Sequence, residues 1–287
     1  NMLKLIKILL ILFLLFVKNN LQAQNIGDWG SVLSGKISEI NKFKIWNGTS
    51  FNINASGNIP STANLYLNND IILDQDFTCK NLIIVSNKTS FGNQIVTIDV
   101  TGNVEVRLGA SFDMSNASGN KVHQINLKGN ITVASGATLD MSKTSNSTDN
   151  VCNITFNDET KDQFITSSGS IQLNSVTVIK TMGTKKVVCN PNPNLIGIIT
   201  ITSGAWEQYA GQAKFLTASN WTIPTNGAVY IKGTAFINHF FSNTITVSGI
   251  LSLESSVTST FSSMLLSMNV RDINVSGPSG VFFINSG

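Results

Sequence analysis

Two aspartates carry the sharpest chemical possibility in this chain. Asp113 and Asp140 hold the same place in two near-copies of one segment, GNVEVRLGASFDMS at Gly102–Ser115 and GNITVASGATLDMS at Gly129–Ser142. If the copies stack, the carboxylates face outward about 5 Å apart, close enough to bind Ca²⁺ or to divide acid and base roles on a glycosidic bond. Repeat copying by itself also accounts for the match. A lyase needs a basic residue over such acids. The nearest, Arg107, belongs to the first copy only and is Ala134 in the second.

Other chemistry is sparse. His123 and His239 stand alone and are expected as surface or satisfied strand residues. No G-x-S-x-G, G-x-x-x-x-G-K-[ST] or H-E-x-x-H motif occurs. Cys79, Cys152 and Cys189 lie far apart, without zinc-like spacing. Export would permit a Cys152–Cys189 disulfide, and burial of each thiol as a small apolar strand residue is the alternative. No metal ligand set can be assembled, so no cofactor is expected beyond Ca²⁺ under the enzyme reading. Aromatics offer a binding surface instead. Trp206, Tyr209, Trp221 and Tyr230 gather in the second half, where exposed rings on a flat face could stack on sugars. Core filling is the competing use for them.

These residues need elements to position them, and the repeat supplies those. Its copies match at eight of fourteen positions with an offset of 27 residues. Each is an alternating run, a glycine turn and a second alternating run. Such a period, with almost no helical pattern, points to stacked coils of three short strands. Alternation turns Ile131, Val133, Ala137, Leu139 and Met141 inward and Thr132, Thr138 and Asp140 outward. Stacking then sets Val106 over Val133, Phe112 over Leu139 and Met114 over Met141. Later coils are degenerate, with starts read at Gly169, Gly227 and Gly249. Ser203-Gly204-Ala205 echoes Ser135-Gly136-Ala137. The runs Lys143–Asn150 and Lys180–Lys186 read as loops bulging from coils. Residues 24–58 read as a cap over the first coil, with Trp29 and Trp46 as its apolar mass and a short helix across Ser31–Ile40.

Residues 1–23 read as an export signal: Lys4 and Lys7, the apolar run Ile8–Val17, then Leu21-Gln22-Ala23 before the cut. Even Leu5–Val17 is shorter than the roughly 20 residues a spanning helix needs, so no span is expected after cleavage. Three of the 19 lysines and arginines leave with that segment, against none of the 16 acids. The mature chain is formally neutral, with no basic field for nucleic acid.

The progression Ile59-Pro60-Ser61, Leu65-Tyr66-Leu67, Asp70-Ile71-Ile72-Leu73-Asp74, Asn81-Leu82-Ile83-Ile84 and GNITVASGATLDMS resembles the parallel β-helix regions of secreted, surface-associated proteins of Bacteroidetes-type bacteria. Trp221-Thr222-Ile223-Pro224 followed by Gly227-Ala228-Val229-Tyr230-Ile231 is a weaker instance of the same opening. Members often end in a C-terminal sorting domain; none is visible before Gly287, which implies a truncated chain. The expected fold is all-β: a right-handed parallel β-helix over 59–287 with an N-terminal capping segment. The expected function is a secreted or cell-surface, adhesin-like solenoid that displays or binds glycans or matrix components. A polysaccharide lyase or glycoside hydrolase using Asp113 and Asp140 is the alternative.

Overall fold

The computed structural model describes residues 27–142, 150–180, 185–214, 221–239, 245–256, 259–262, 266–268, 272–275 and 282–285. Residues 1–23, read above as an export signal, most of the polar run after Met141, and residues 181–184 lie outside these.

Short alternating segments become strands, and the turns between them wind the chain into a parallel β-solenoid. Four strands precede the first full coil: β1 (Trp29–Ser31), β2 (Gly35–Lys36), β3 (Phe43–Trp46) and β4 (Phe51–Asn54). The coils then follow as triplets: β5 (Leu65–Leu67), β6 (Ile71–Leu73), β7 (Phe77–Cys79); β8 (Leu82–Ile84), β9 (Lys88–Phe91), β10 (Thr97–Val100); β11 (Val104–Val106), β12 (Ser111–Asp113), β13 (Val122–Leu127). Next come β14 (Ile131–Val133), β15 (Thr138–Asp140), β16 (Val151–Phe156); β17 (Gln163–Ser167), β18 (Ser170–Leu173), β19 (Val176–Ile179); and β20 (Lys186–Cys189), β21 (Asn194–Leu195) and β22 (Ile199–Ala213). The far end is built from β23 (Trp221–Ile223), β24 (Gly227–His239), β25 (Ile245–Val247), β26 (Ile250–Ser255), β27 (Ser259–Ser262), β28 (Leu266–Met268), β29 (Asp272–Val275) and β30 (Phe282–Asn285).

Each strand pairs in parallel with its counterpart one coil on. The first members of the triplets make sheet I, the second sheet II and the third sheet III. The 27-residue register is real: Val106 pairs with Val133 and Phe112 with Leu139. Ile131, Val133, Ala137, Leu139 and Met141 are buried, while Thr132 is exposed and Thr138 and Asp140 are half-buried. Phe91 stacks on Phe112 at 5.5 Å inside the core, diagonally across the ladder, since Phe112 itself stands over Thr89.

The repeat's Gly-Asn pairs make the corner into sheet I. Asn103 donates its N–H to Asn81 Oδ1 at 2.6 Å, Asn130 to Asn103 Oδ1 at 2.8 Å, and Phe164 to Asn130 Oδ1 at 2.8 Å. The column extends down to the Asn64 N–H on Asp28 Oδ1 at 3.1 Å. Each side chain thus satisfies a corner amide that no strand can reach. The preceding glycine lets the coils close: a Cβ on Gly129 would lie 2.2 Å from the Gly102 carbonyl oxygen. The second corner is a turn closed by the Ala137 N–H on the Ala134 carbonyl, with Gly136 at φ +70°.

The winding of the chain departs from the sequence reading at three places. Across Ser31–Ile40 there is no α-helix, only β2 and a 3₁₀ turn at Ile40–Lys42. The open edge of the first coil needs strand partners rather than a helix face. β1 supplies one to β5 and β2 one to β6, while β3 and β4 fold back antiparallel. Trp29 reaches the core from β1, and Ile37 reaches the same core from the turn that follows β2. Trp46 is half-buried, edge-on to Phe51 at 5.1 Å, and Phe51 covers Tyr66 on the outer face of sheet I.

Gly169 is not a coil start. Ile131 pairs with Ile165 and Thr138 with Ser170, so Gly169 lies at the second corner beside Ala137. Gln163 takes the corner that Gly129 held. Its Nε2 donates to the Leu127 and Gly129 carbonyls at 2.9 and 2.5 Å, and its Oε1 accepts from the buried Lys180 ammonium. Lys180 Nζ also donates to the Asp158 and Lys161 carbonyls, tying that charged loop down. Gly204, in turn, is no copy of Gly136. It pairs with Gly227 at the corner into sheet I. There β22 passes directly from sheet III, on β19, to sheet I, on β20.

All three cysteines are buried and free, Cys152 and Cys189 included. His123 is fully buried rather than at the surface, 4.5 Å from the Phe91 ring, and pairs in register with Cys152. Its Nδ1 accepts the Val96 N–H at 3.2 Å. Burial, helped by Lys121, pushes its pKa down from 6.5 to about 4. Between those values the unfolded chain binds a proton that the folded chain refuses, so stability falls as the pH drops through that window. We expect a loss of about 3 kcal/mol from this group between pH 7 and pH 4. Equilibrium denaturation of the protein and of His123→Gln at both pH values should differ by that amount. Parallel pH curves for the two proteins would refute it.

Candidate functional site

The outer face of sheet I, over β20, β22, β24 and β26, carries a linked set of ion pairs that joins Lys186, Glu207, Lys232 and Glu254. Alternation decides which residues reach it. Val187 and Cys189 point inward from β20, leaving Lys186 outside. Trp206 and Gln208 point inward from β22, leaving Glu207 outside. Register then stacks Val188, Glu207, Tyr230 and Ser252 in one column, with Lys232 against Glu254 beside it.

Glu207 is the hub. Its Oε2 meets Lys186 Nζ at 2.8 Å and Lys232 Nζ at 3.4 Å, while its Oε1 accepts from the Tyr209 hydroxyl at 2.8 Å. Lys232 continues to Glu254 at 3.9 Å and lies 5.6 Å from the centre of the Tyr230 ring. Burial by itself would raise the Glu207 pKa, but the bonds from Lys186 and Tyr209 outweigh it and hold the carboxyl below its ordinary range. The bond to Glu207 raises Lys186 and, ahead of burial, Tyr209. Glu207 is therefore held as a carboxylate between Lys186 and Lys232. Each ammonium has three donors. Tyr209 is 37% exposed, so a ring face stands beside them.

The four aromatic candidates separate. Tyr209 and Tyr230 lie on this face. Trp206 does not: it is completely buried, with its indole N–H on Gln208 Oε1 at 3.0 Å, and offers no stacking surface. The Trp221 side chain lies outside the described residues.

Asp113 and Asp140 lie on the outer face of sheet II as neighbours in one polar column running from Ser90 to Gln172 and Asn194. Their environments differ. Burial would raise Asp113, but Ser115, Ser111 and Lys88 at 3.7 Å together hold it low. Asp140 is raised by burial and by Asp113, against bonds from Ser142 and from Gln172 Nε2 at 2.7 Å. The basic partner is Lys88, not Arg107. Arg107 lies toward sheet I, bonded to Glu105 at 2.9 Å with its guanidinium 5.8 Å from the Tyr66 ring centre.

No described group of three or more His, Cys, Asp and Glu side chains gathers as a metal site would need. No described helix is long and apolar enough to cross a membrane. Sequence reasoning missed Glu207 because its partners come from three separate coils. The alternation Trp206-Glu207-Gln208 was the only local signal. No family model, curated protein or solved structure matches the chain.

Proposed function

We propose that this chain is a secreted or cell-surface solenoid, adhesin-like, that displays and binds rather than catalyses. Its contact surface is the outer face of sheet I around Glu207, and its ligand class is saccharide. One observation carries this: the exposed Tyr209 ring and Tyr230 flank a prepaid lattice of charges, Lys186–Glu207–Lys232–Glu254, on a flat face of parallel strands. Such a lattice presents donors and acceptors already held in place to hydroxyl-rich ligands, while tyrosine rings cover apolar sugar faces. The charge-poor composition supports the same reading, since few groups can shuttle protons.

A second reading has its own support. Asp113 is held low and Asp140 is raised on adjacent coils, the divergence that an acid and a nucleophile or base would show. One experiment addresses both. The purified protein is screened on immobilised neutral and acidic glycans, with product release measured in Ca²⁺. We expect binding without turnover, weakened at least tenfold in Tyr209→Ala and Tyr230→Ala. Turnover abolished by Asp113→Asn with Asp140→Asn would establish the enzyme reading instead.

A further inference from the structure

The first coil has three strand edges facing the N-terminal end, and the cap closes two of them. β1 pairs with β5, and β2 pairs with β6. β7 pairs with β10 on one side and with no described strand on the other. Next to that edge lies a cleft of about 540 Å³ between β7 and the cap, lined by Ile37, Ile40 and Ile59 on one side and by Asp76, Phe77 and Thr78 on the other.

The direction of the backbone groups follows from two bonds. The Cys79 carbonyl accepts the Thr101 N–H from the second coil, so Cys79 points up the stack. The Lys80 N–H points the opposite way, to the Ala63 carbonyl. Thr78 alternates with Cys79, so its N–H and C=O point down into the cleft. An unpaired edge with the half-buried Ile40, Ile59 and Phe77 beside it is what an added strand requires. Charge narrows the occupant. Asp76 and Asp99 line the cleft, and no lysine or arginine does. Each aspartate uses one oxygen inside the fold, Asp76 for the Thr97 N–H at 2.7 Å and Asp99 for the Asn126 amide at 2.8 Å. The other oxygen of each is open to a cation.

We propose that this cleft binds an extended, lysine- or arginine-bearing segment of a partner polypeptide, which adds to β7 as a strand and completes sheet III. Backbone bonds to Thr78 supply the pairing. Aliphatic side chains pack against the half-buried Ile40, Ile59 and Phe77, and basic residues meet Asp76 and Asp99. This surface is independent of the Glu207 face, so either can fail without the other.

The test is fluorescence anisotropy of the whole protein with a labelled Lys-Val-Thr-Val-Lys peptide. Three controls accompany it: the same peptide N-methylated at both valines, a Glu-Val-Thr-Val-Glu peptide, and two protein variants. Thr78→Pro removes the outward N–H yet keeps the β7–β10 ladder, since proline is tolerated on a free edge. Asp76→Asn with Asp99→Asn keeps the internal acceptors and removes the charge. We expect the lysine peptide to bind, with at least tenfold weakening from N-methylation and from Thr78→Pro. The asparagine pair should weaken it about fivefold, and the glutamate peptide should bind least. Absence of binding up to about 1 mM, the weak end of specific affinity, would overturn the proposal. So would equal binding of the N-methylated peptide. A concentration-dependent dimer that Thr78→Pro dissolves would assign the edge to a second copy and overturn it too.

Discussion

Val133→Asp is expected to destabilise the protein by several kcal/mol, about 3–5, while Thr132→Asp beside it costs under about 1 kcal/mol. Val133 is 1% exposed and stands in the inner column Ile84–Val106–Val133. A carboxylate there has no charge partner and must either be desolvated or stay protonated, and its neighbours lose apolar contact. Thr132 is exposed on the same strand, with Glu105 below it and Thr166 above. An added acid meets solvent and one like charge. Denaturant titration followed by circular dichroism gives both values. Equal losses would mean that the inward and outward faces have been exchanged.

Gly129→Ala carries the next largest expected loss, above about 3 kcal/mol, because a rigid backbone blocks it. The new methyl would lie 2.2 Å from the Gly102 carbonyl oxygen and 2.4 Å from Asn103 Oδ1. Neither can withdraw without opening the coil spacing and breaking the Asn130 N–H bond to Asn103. Gly136→Ala is the comparison. There the nearest atom is the Leu108 methyl at 3.6 Å, and the difficulty is only φ +70°. That strain costs about 1–2 kcal/mol. Thermal unfolding of both variants orders them. A milder effect at Gly129 than at Gly136 would show that close stacking at this corner does not constrain the coil.

Local alternation and one clear repeat were enough to read the coil, its inward residues and the stacking of Val106 on Val133. These depend on a period of two and an offset of 27, which neighbouring residues display directly. The Gly-Asn corner was visible as a motif, but its reason was not. The asparagine serves an amide in the next coil, and the glycine is small because of the coil before it.

Where the copies degrade, sequence could not assign register. Gly169 and Gly204 look like their earlier counterparts but occupy the opposite corners, because Gln163 fills one corner by side-chain hydrogen bonds and β22 crosses another without a loop. Parity within β22 was equally hidden. Trp206 and Tyr209 are both aromatic and lie three apart, so alternation alone puts them on opposite faces. Which one is inside follows from the pairing of Trp206 between Val187 and Val229 and from the shift near Ala210. The Glu207 cluster needs Lys186, Lys232 and Glu254 brought together from four strands. Sequence determined what each strand can bury. Stacking alone decided which side chains meet, because contact here runs across coils, perpendicular to the chain.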